Sequence, residues 1–230
     1  MPQDGGHRQP AMSKHILHQI ERLKERILDV GAVTQTAIAD AIRALTTYDE
    51  ASARRVLQAN AEVDHAAVEI EEECLKTFAL YQPAIGDLRL VVAVLKINNE
   101  LERIAELSKN IAKRVLYLIT AGGRGIAIDF RPMASHAQSM VQSSLDALVH
   151  GDSALAHQVR RDDDALDAMR RSIHNDIRAA IRQDPLQTEP LLKFYAVAKH
   201  LERIGDMATN IAADVIYLVD GEIVRHVHEE

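Results

Sequence analysis

A chain of 230 residues is long enough for one elongated domain or two small ones with real cores. Hydrophobic residues make up 47% of it but aromatic ones only 3%, with no Trp, a balance that argues against an all-β fold. Its net charge of −7 argues against nucleic acid or an anionic membrane surface as a partner, and the one cysteine, Cys74, excludes an internal disulfide and a thiolate metal cage and fits a reducing cytoplasm.

Residues 1–12 carry Asp4, two glycines, His7 and Arg8 but no apolar core, so they read as a disordered tail and not as a signal peptide. The helix-forming residues Ala, Leu, Glu, Lys and Arg then dominate six segments, over about 13–47, 50–80, 88–119, 130–150, 153–183 and 189–219. Turn residues separate them around Asp49, over 82–87, through 121–125, at Gly151-Asp152 and around Asp184-Pro185. In the third segment Ile97, Leu101, Ile104, Ile111, Val115 and Leu118 form one apolar stripe, so such long helices must pack lengthwise. No apolar run approaches the roughly 20 residues needed to span a bilayer. His226 to Glu230 read as a second tail.

The chain repeats itself. A shift of 103 residues aligns Asp49 with Asp152, Val56 with Val159, Asp64 with Asp167 and Ile70 with Ile173. A shift of 100 then aligns Leu101-Glu102-Arg103-Ile104 with Leu201-Glu202-Arg203-Ile204 and Asn110-Ile111-Ala112 with Asn210-Ile211-Ala212. The expected architecture is therefore all-α, two tandem and similar three-helix bundles of long antiparallel helices. The expected parts are a tail over 1–12, a first repeat over 13–120, a linker over 121–128, a second repeat over 129–220 and a tail over 221–230.

Each repeat also duplicates a charged pattern, Glu102-Arg-Ile-Ala-Glu106 and Glu202-Arg-Ile-Gly-Asp206. Acids four residues apart share a helical face and repel by roughly 0.2–0.5 kcal/mol, so a twice-kept pair points to a cation between them. The alternative is a solvated polar face, since Glu102 and Glu106 lie opposite the apolar stripe. On the second helix of each repeat, Asn60 and Asp64 fall with Val56 and Val63, and Asp163 and Asp167 with Val159 and Leu166. Carboxylates turned toward a packed side must be paired, hydrogen-bonded or metal-bound. Arg160 or Arg170 offers an ion pair; His174 on the same face offers a fifth ligand or a core-edge histidine.

If the two helices lie side by side, Asp163, Asp167, Glu202 and Asp206 meet in a groove suited to iron, manganese, magnesium or zinc. Asn210 and Asp214 follow one and two turns further along, and Asn110 is the counterpart of Asn210. In the first repeat Asn60 replaces an acid, Lys109 and Lys113 stand where the second has Thr209 and Ala213, and Arg114 replaces Asp214. The stronger site is expected in the second repeat.

The segment Gln82-Pro83-Ala84-Ile85-Gly86-Asp87-Leu88-Arg89, followed by the two LERI segments and the two NIA segments in order, resembles the PhoU family over nearly the whole chain after residue 13. That resemblance implies two similar three-helix bundles, metal ions or small metal clusters held by paired acidic motifs, and self-association as a homodimer or higher oligomer. It implies a non-enzymatic, cytoplasmic negative regulator of phosphate-starvation signalling. Its expected partners are the ATPase subunit of a phosphate ABC transporter and a phosphate-sensing histidine kinase, which would place it at the inner membrane through them. Carried over by motif, the metal candidates are Asp163, Asp167, Glu202 and Asp206, with Asp64, Glu102 and Glu106 as the weaker set. Asn60, His174, Asn110, Asn210 and Asp214 are the additional candidates. The chain departs from the family pattern at Asn60, where Asp is common, and at Ala105-Glu106, where Gly-Asp is common.

No Walker loop, GxSxG, HExxH or CxxC is present, so nucleotide hydrolysis and zinc-protease chemistry have no support. A carboxylate-bridged metalloenzyme is the alternative from another class. It usually draws on Glu-x-x-His ligands, and here Ala105 and Gly205 follow the two glutamates. A metal-free helical scaffold held by salt bridges is the third reading.

Overall fold

A computed structural model describes residues 9–81, 83–121 and 128–224 of the chain. Six α-helices account for most of them: α1 (Gln9–Thr47), α2 (Glu50–Tyr81), α3 (Ile85–Thr120), α4 (Arg131–His150), α5 (Ser153–Gln183) and α6 (Thr188–Asp220), with a short 3₁₀ turn at Pro185–Gln187. Among the described residues there is no strand, and no helix is long and apolar enough to cross a membrane.

The ends of these helices follow from local chemistry. Asp152 caps α5 by accepting the Leu155 N–H at 2.9 Å, and its counterpart Asp49 accepts the Ala51 N–H at 3.0 Å before α2. The residue before each aspartate is left-handed in both repeats, Gly151 at φ 61° and Tyr48 at φ 53°. The duplicated turn has thus kept its backbone although only one copy kept the glycine that makes it cheap.

Two boundaries differ from the sequence expectation. Residues 9–12, expected in the N-terminal tail, belong to α1. The stretch from Ile85 to Asp87, expected as a turn, is the first turn of α3: Pro83 lies outside it, Gly86 is tolerated at an open position, and Asp87 complements the positive end of the helix. Residues 1–8, Gln82, 122–127 and 225–230, which carry most of the expected tails and linker, lie outside the described residues.

Helices α1, α2 and α3 pack on one another, as do α4, α5 and α6, and α3 lies along α6. A continuous apolar core runs through all six, from Leu23, Ile27 and Ile70 to Ile104, Leu166, Leu201 and Ile211. Helices α3 and α6 are antiparallel: Tyr117 near the end of α3 donates to Glu189 at the start of α6 at 3.2 Å, while Arg89 near the start of α3 lies over the Tyr217 ring near the end of α6. A second seam joins α1 to α4, where a Cβ on Gly31 would come within 2.9 Å of Leu145.

Candidate functional site

Asp163 and Asp167 stand one turn apart on α5, and Glu202 and Asp206 one turn apart on α6; all four are half-buried. The reason they face each other is Gly205. A Cβ there would lie 2.2 Å from Leu166 Cδ2 and 3.5 Å from Asp163 Oδ1, so the missing side chain lets α5 and α6 close together between the acids. At the equivalent position of the first repeat stands Ala105, fully buried.

The electrostatics record the crowding. Burial and then Glu202, Asp163 and Asp167 push the Asp206 carboxyl up to about 6, and burial, Asp167, Asp164 and Glu202 raise Asp163 as well. Arg170 relieves part of this: its Nε lies 3.4 Å from both Asp167 Oδ1 and Glu202 Oε1, bridging the two helices, and Arg171 reaches Asp167 Oδ2 at 3.2 Å. The ion pair that the sequence offered as an alternative is therefore present, though the raised Asp206 and Asp163 show that it leaves negative charge uncompensated.

The first repeat treats its acids differently. Asn60, only 3% exposed, donates Nδ2 to Asp64 Oδ2 at 2.7 Å, and its Oδ1 has no hydrogen-bond partner. Lys109 pairs with Glu106, to which Asn110 also donates at 3.2 Å. Burial, Asp64 and Glu71 raise Glu102. The protein's own donors thus occupy Asp64 and Glu106, where the second repeat has, among the described residues, the Arg170 bridge and Arg171.

The remaining candidates scatter. His174, 8% exposed, stacks on Tyr195 with ring centroids 3.9 Å apart, and burial followed by Arg170 lowers its pKa. It sits at the core edge. Asp214, 2% exposed, accepts Lys96 Nζ of α3 at 2.9 Å and so belongs to the seam between the repeats. Asn210 lines a cleft with Glu100, Arg103 and Arg160, and Asn110 lines another with His200 and Arg203. Sequence periodicity passed over Lys96 because its partner lies 118 residues away. It passed over His200 because nothing in its local spacing marks it.

Four oxygen-donor side chains with surplus negative charge fit a hard cation, and the second repeat fits better than the first. Among the described residues, no three His, Cys, Asp or Glu side chains stand as a finished ligand group. A cation would have to draw the acids in from their present ion pairs.

A two-repeat, six-helix bundle carrying acidic pairs on neighbouring helices of each repeat defines the class. The PhoU domain is matched twice, over residues 27–115 and 130–215, and the chain belongs to the PhoU family. It is 33% identical over 223 residues to a phosphate-specific transport system accessory protein PhoU homolog of Pseudomonas aeruginosa, covering 94% of this chain and 92% of that one. The homolog from Aquifex aeolicus is 32% identical over 213 residues, covering 93% and 96%. The crystal structure of PhoU from Pseudomonas aeruginosa superposes with a TM-score of 0.86 at 31% identity, covering 89% of this chain and 99% of that one. The phosphate transport system regulatory protein PhoU from Streptococcus pneumoniae, at 23% identity and a TM-score of 0.82, shares the fold.

Proposed function

We propose that this protein is a non-enzymatic, metal-binding regulator of phosphate uptake and phosphate-starvation signalling, represses the response when phosphate is plentiful, and acts as an adaptor. The relatives' names, accessory proteins of a phosphate-specific transport system, support the setting. The partners are then the ATPase subunit of the phosphate ABC transporter and a phosphate-sensing histidine kinase, met in the cytoplasm at the inner membrane by a homodimer or higher oligomer.

The observation that carries the metal reading is the gathering of Asp163, Asp167, Glu202 and Asp206 across the Gly205 contact, with Asp206 raised to about 6. Iron, zinc, manganese or magnesium held there would supply positive charge that cancels the repulsion and ties α5 to α6. Asp167 and Glu202, now paired with Arg170, would be among the carboxylates to hold it, and the outer face of the two helices would then present a defined docking surface. An enzymatic reading would ask for a histidine three residues after Glu202. That position is Gly205, pressed against Leu166, with no room for a side chain.

Elemental analysis of protein purified without a metal-affinity tag tests the reading, with a Glu202→Ala/Asp206→Ala variant alongside. Metal bound by the parent and lost from the variant, with helical circular dichroism retained, is the expected result. Equal metal content in the two proteins would sink the assignment. No metal in either would leave the acids as an ion-pair network centred on Arg170.

A further inference from the structure

Helices α2 and α5 stand outside the joint between the repeats. That joint is made by α3 with α6 and by α1 with α4; among the described residues α2 packs only on α1 and α3, and α5 only on α4, α6 and the 3₁₀ turn that follows it. Each therefore keeps one long side toward solvent, and the two sides lie on opposite flanks of the molecule.

Equivalent positions on these two sides carry different chemistry. On α2, Val68 and Leu75 are 57% and 63% exposed and stand seven residues apart, the spacing at which one helix lies lengthwise on another. Glu71 and Glu72 fall between them, each three or four residues from both, so two apolar side chains and two carboxylates form one patch. The shift of 103 residues puts Arg171, His174, Asn175 and Arg178 at these four positions of α5. His174 is buried; Arg171, Asn175 and Arg178 are exposed, and Arg182 follows one turn beyond as the counterpart of Ala79. The one acid near the start of this row is Asp164, two turns before Arg171.

Little within the chain engages these groups. Glu71, Arg178 and Arg182 make no ion pair or hydrogen bond among the described residues. Glu72 holds the exposed Lys76 at 3.2 Å and Arg171 reaches Asp167 at 3.2 Å, surface pairs that give way readily. A single exposed apolar side chain calls for no explanation. Here two of them stand beside carboxylates, and the other repeat supplies the side chain that suits both, since an arginine covers apolar surface with its stem and pairs with a carboxylate through its guanidinium. An α5 laid along α2 brings the stems of Arg171 and Arg178, also seven residues apart, onto Val68 and Leu75, with their guanidinium groups at Glu71 and Glu72. Within one chain the two sides point away from each other, so the match is made only between copies.

We propose that the outward side of α2, at Val68, Glu71, Glu72 and Leu75, docks a second copy of this chain through the outward side of its α5, at Arg171, Arg178 and Arg182. The proposal gives surfaces to the self-association named above and rests on that reading, but it needs no metal. Because the two sides are different and lie on opposite flanks, the contact is head-to-tail and each added copy leaves one of each side free for the next.

Sedimentation of the full chain from micromolar to submillimolar concentration reads the contact, at low salt and again at about 0.5 M salt, where the charges are screened. At low salt the average mass is expected to rise past that of a dimer, and high salt should weaken the association by about tenfold or more. Glu71→Arg/Glu72→Arg makes a chain that is basic on both sides, and Arg178→Glu/Arg182→Glu one that is acidic on both; all four residues are exposed, so helical circular dichroism should be unchanged in each. Either variant alone should stay monomeric over the same range, and an equimolar mixture of the two should associate again. A parent that stays monomeric overturns the proposal together with self-association. Association that neither variant weakens, a mass that stops at the dimer, or a mixture no heavier than its parts overturns these surfaces alone.

Discussion

Asp206 shows how a single side chain reports on its surroundings. Its carboxyl is raised from an ordinary 3.8 to about 6, first by burial and then by three acidic neighbours, so the folded chain holds that proton more tightly than the unfolded one. The stability it contributes is present below about pH 4 and is lost as pH rises through about 6. In chelator-treated protein, Asp206→Asn should therefore melt higher than the parent at neutral pH, by about 2–4 °C, and the two should converge near pH 4. A thermal melt series across that range checks the sign. With metal bound the order should reverse, because the amide gives up a charged ligand. The acids themselves were legible in the sequence from their spacing of four and their recurrence in both repeats. The Arg170 bridge was half legible: Arg170 stands three residues after Asp167, but its reach to Glu202 depends on how α5 and α6 lie against each other.

At the scale of the element, Gly205 decides how near α5 and α6 come. Alanine is the better helix former by about 1 kcal/mol, yet its methyl would fall 2.2 Å from Leu166, which is fully buried and has no room to turn away. Gly205→Ala should lower stability by about 1–3 kcal/mol through overpacking, whereas Gly86→Ala, with nothing near its missing side chain, should be neutral or mildly stabilising. Urea unfolding of the two variants side by side separates packing from propensity. The helices were readable from apolar spacing, while their starts were not: Ile85 to Asp87 contains the residues of a turn and still opens α3, with Pro83 standing before the helix and Asp87 complementing its positive end. The turn at Tyr48 was hidden for the opposite reason, since a tyrosine gives no hint of a left-handed backbone that only its counterpart Gly151 advertises.

Across the whole molecule, the repeats are joined by a buried polar link. Lys96 of α3 reaches Asp214 of α6 at 2.9 Å and also lies 5.2 Å from the Tyr217 ring centroid, so one ammonium serves two partners across the seam. Sequence order gave Asp214 a place among metal candidates because it extends the line of Glu202, Asp206 and Asn210. Its position on the face toward α3 follows only from the antiparallel crossing. Lys96→Ala removes this ammonium from the buried carboxylate and should cost on the order of 2 kcal/mol, partial exposure of Lys96 keeping the figure below that of a fully buried pair. The loss should appear as a lower urea midpoint while metal content stays unchanged, which separates the seam from the acidic quartet.

The antiparallel crossing also governs what gene duplication could do with this chain. Asn110 and His200 line one cleft, while their counterparts Asn210 and Glu100 line the other. A substitution at one of these four positions therefore alters one cleft and spares its twin. Inheritance of a single ancestral helix has in this way supplied two recesses that could drift apart, Glu100 taking one course and His200 another, while the shared packing beneath them stayed under common constraint.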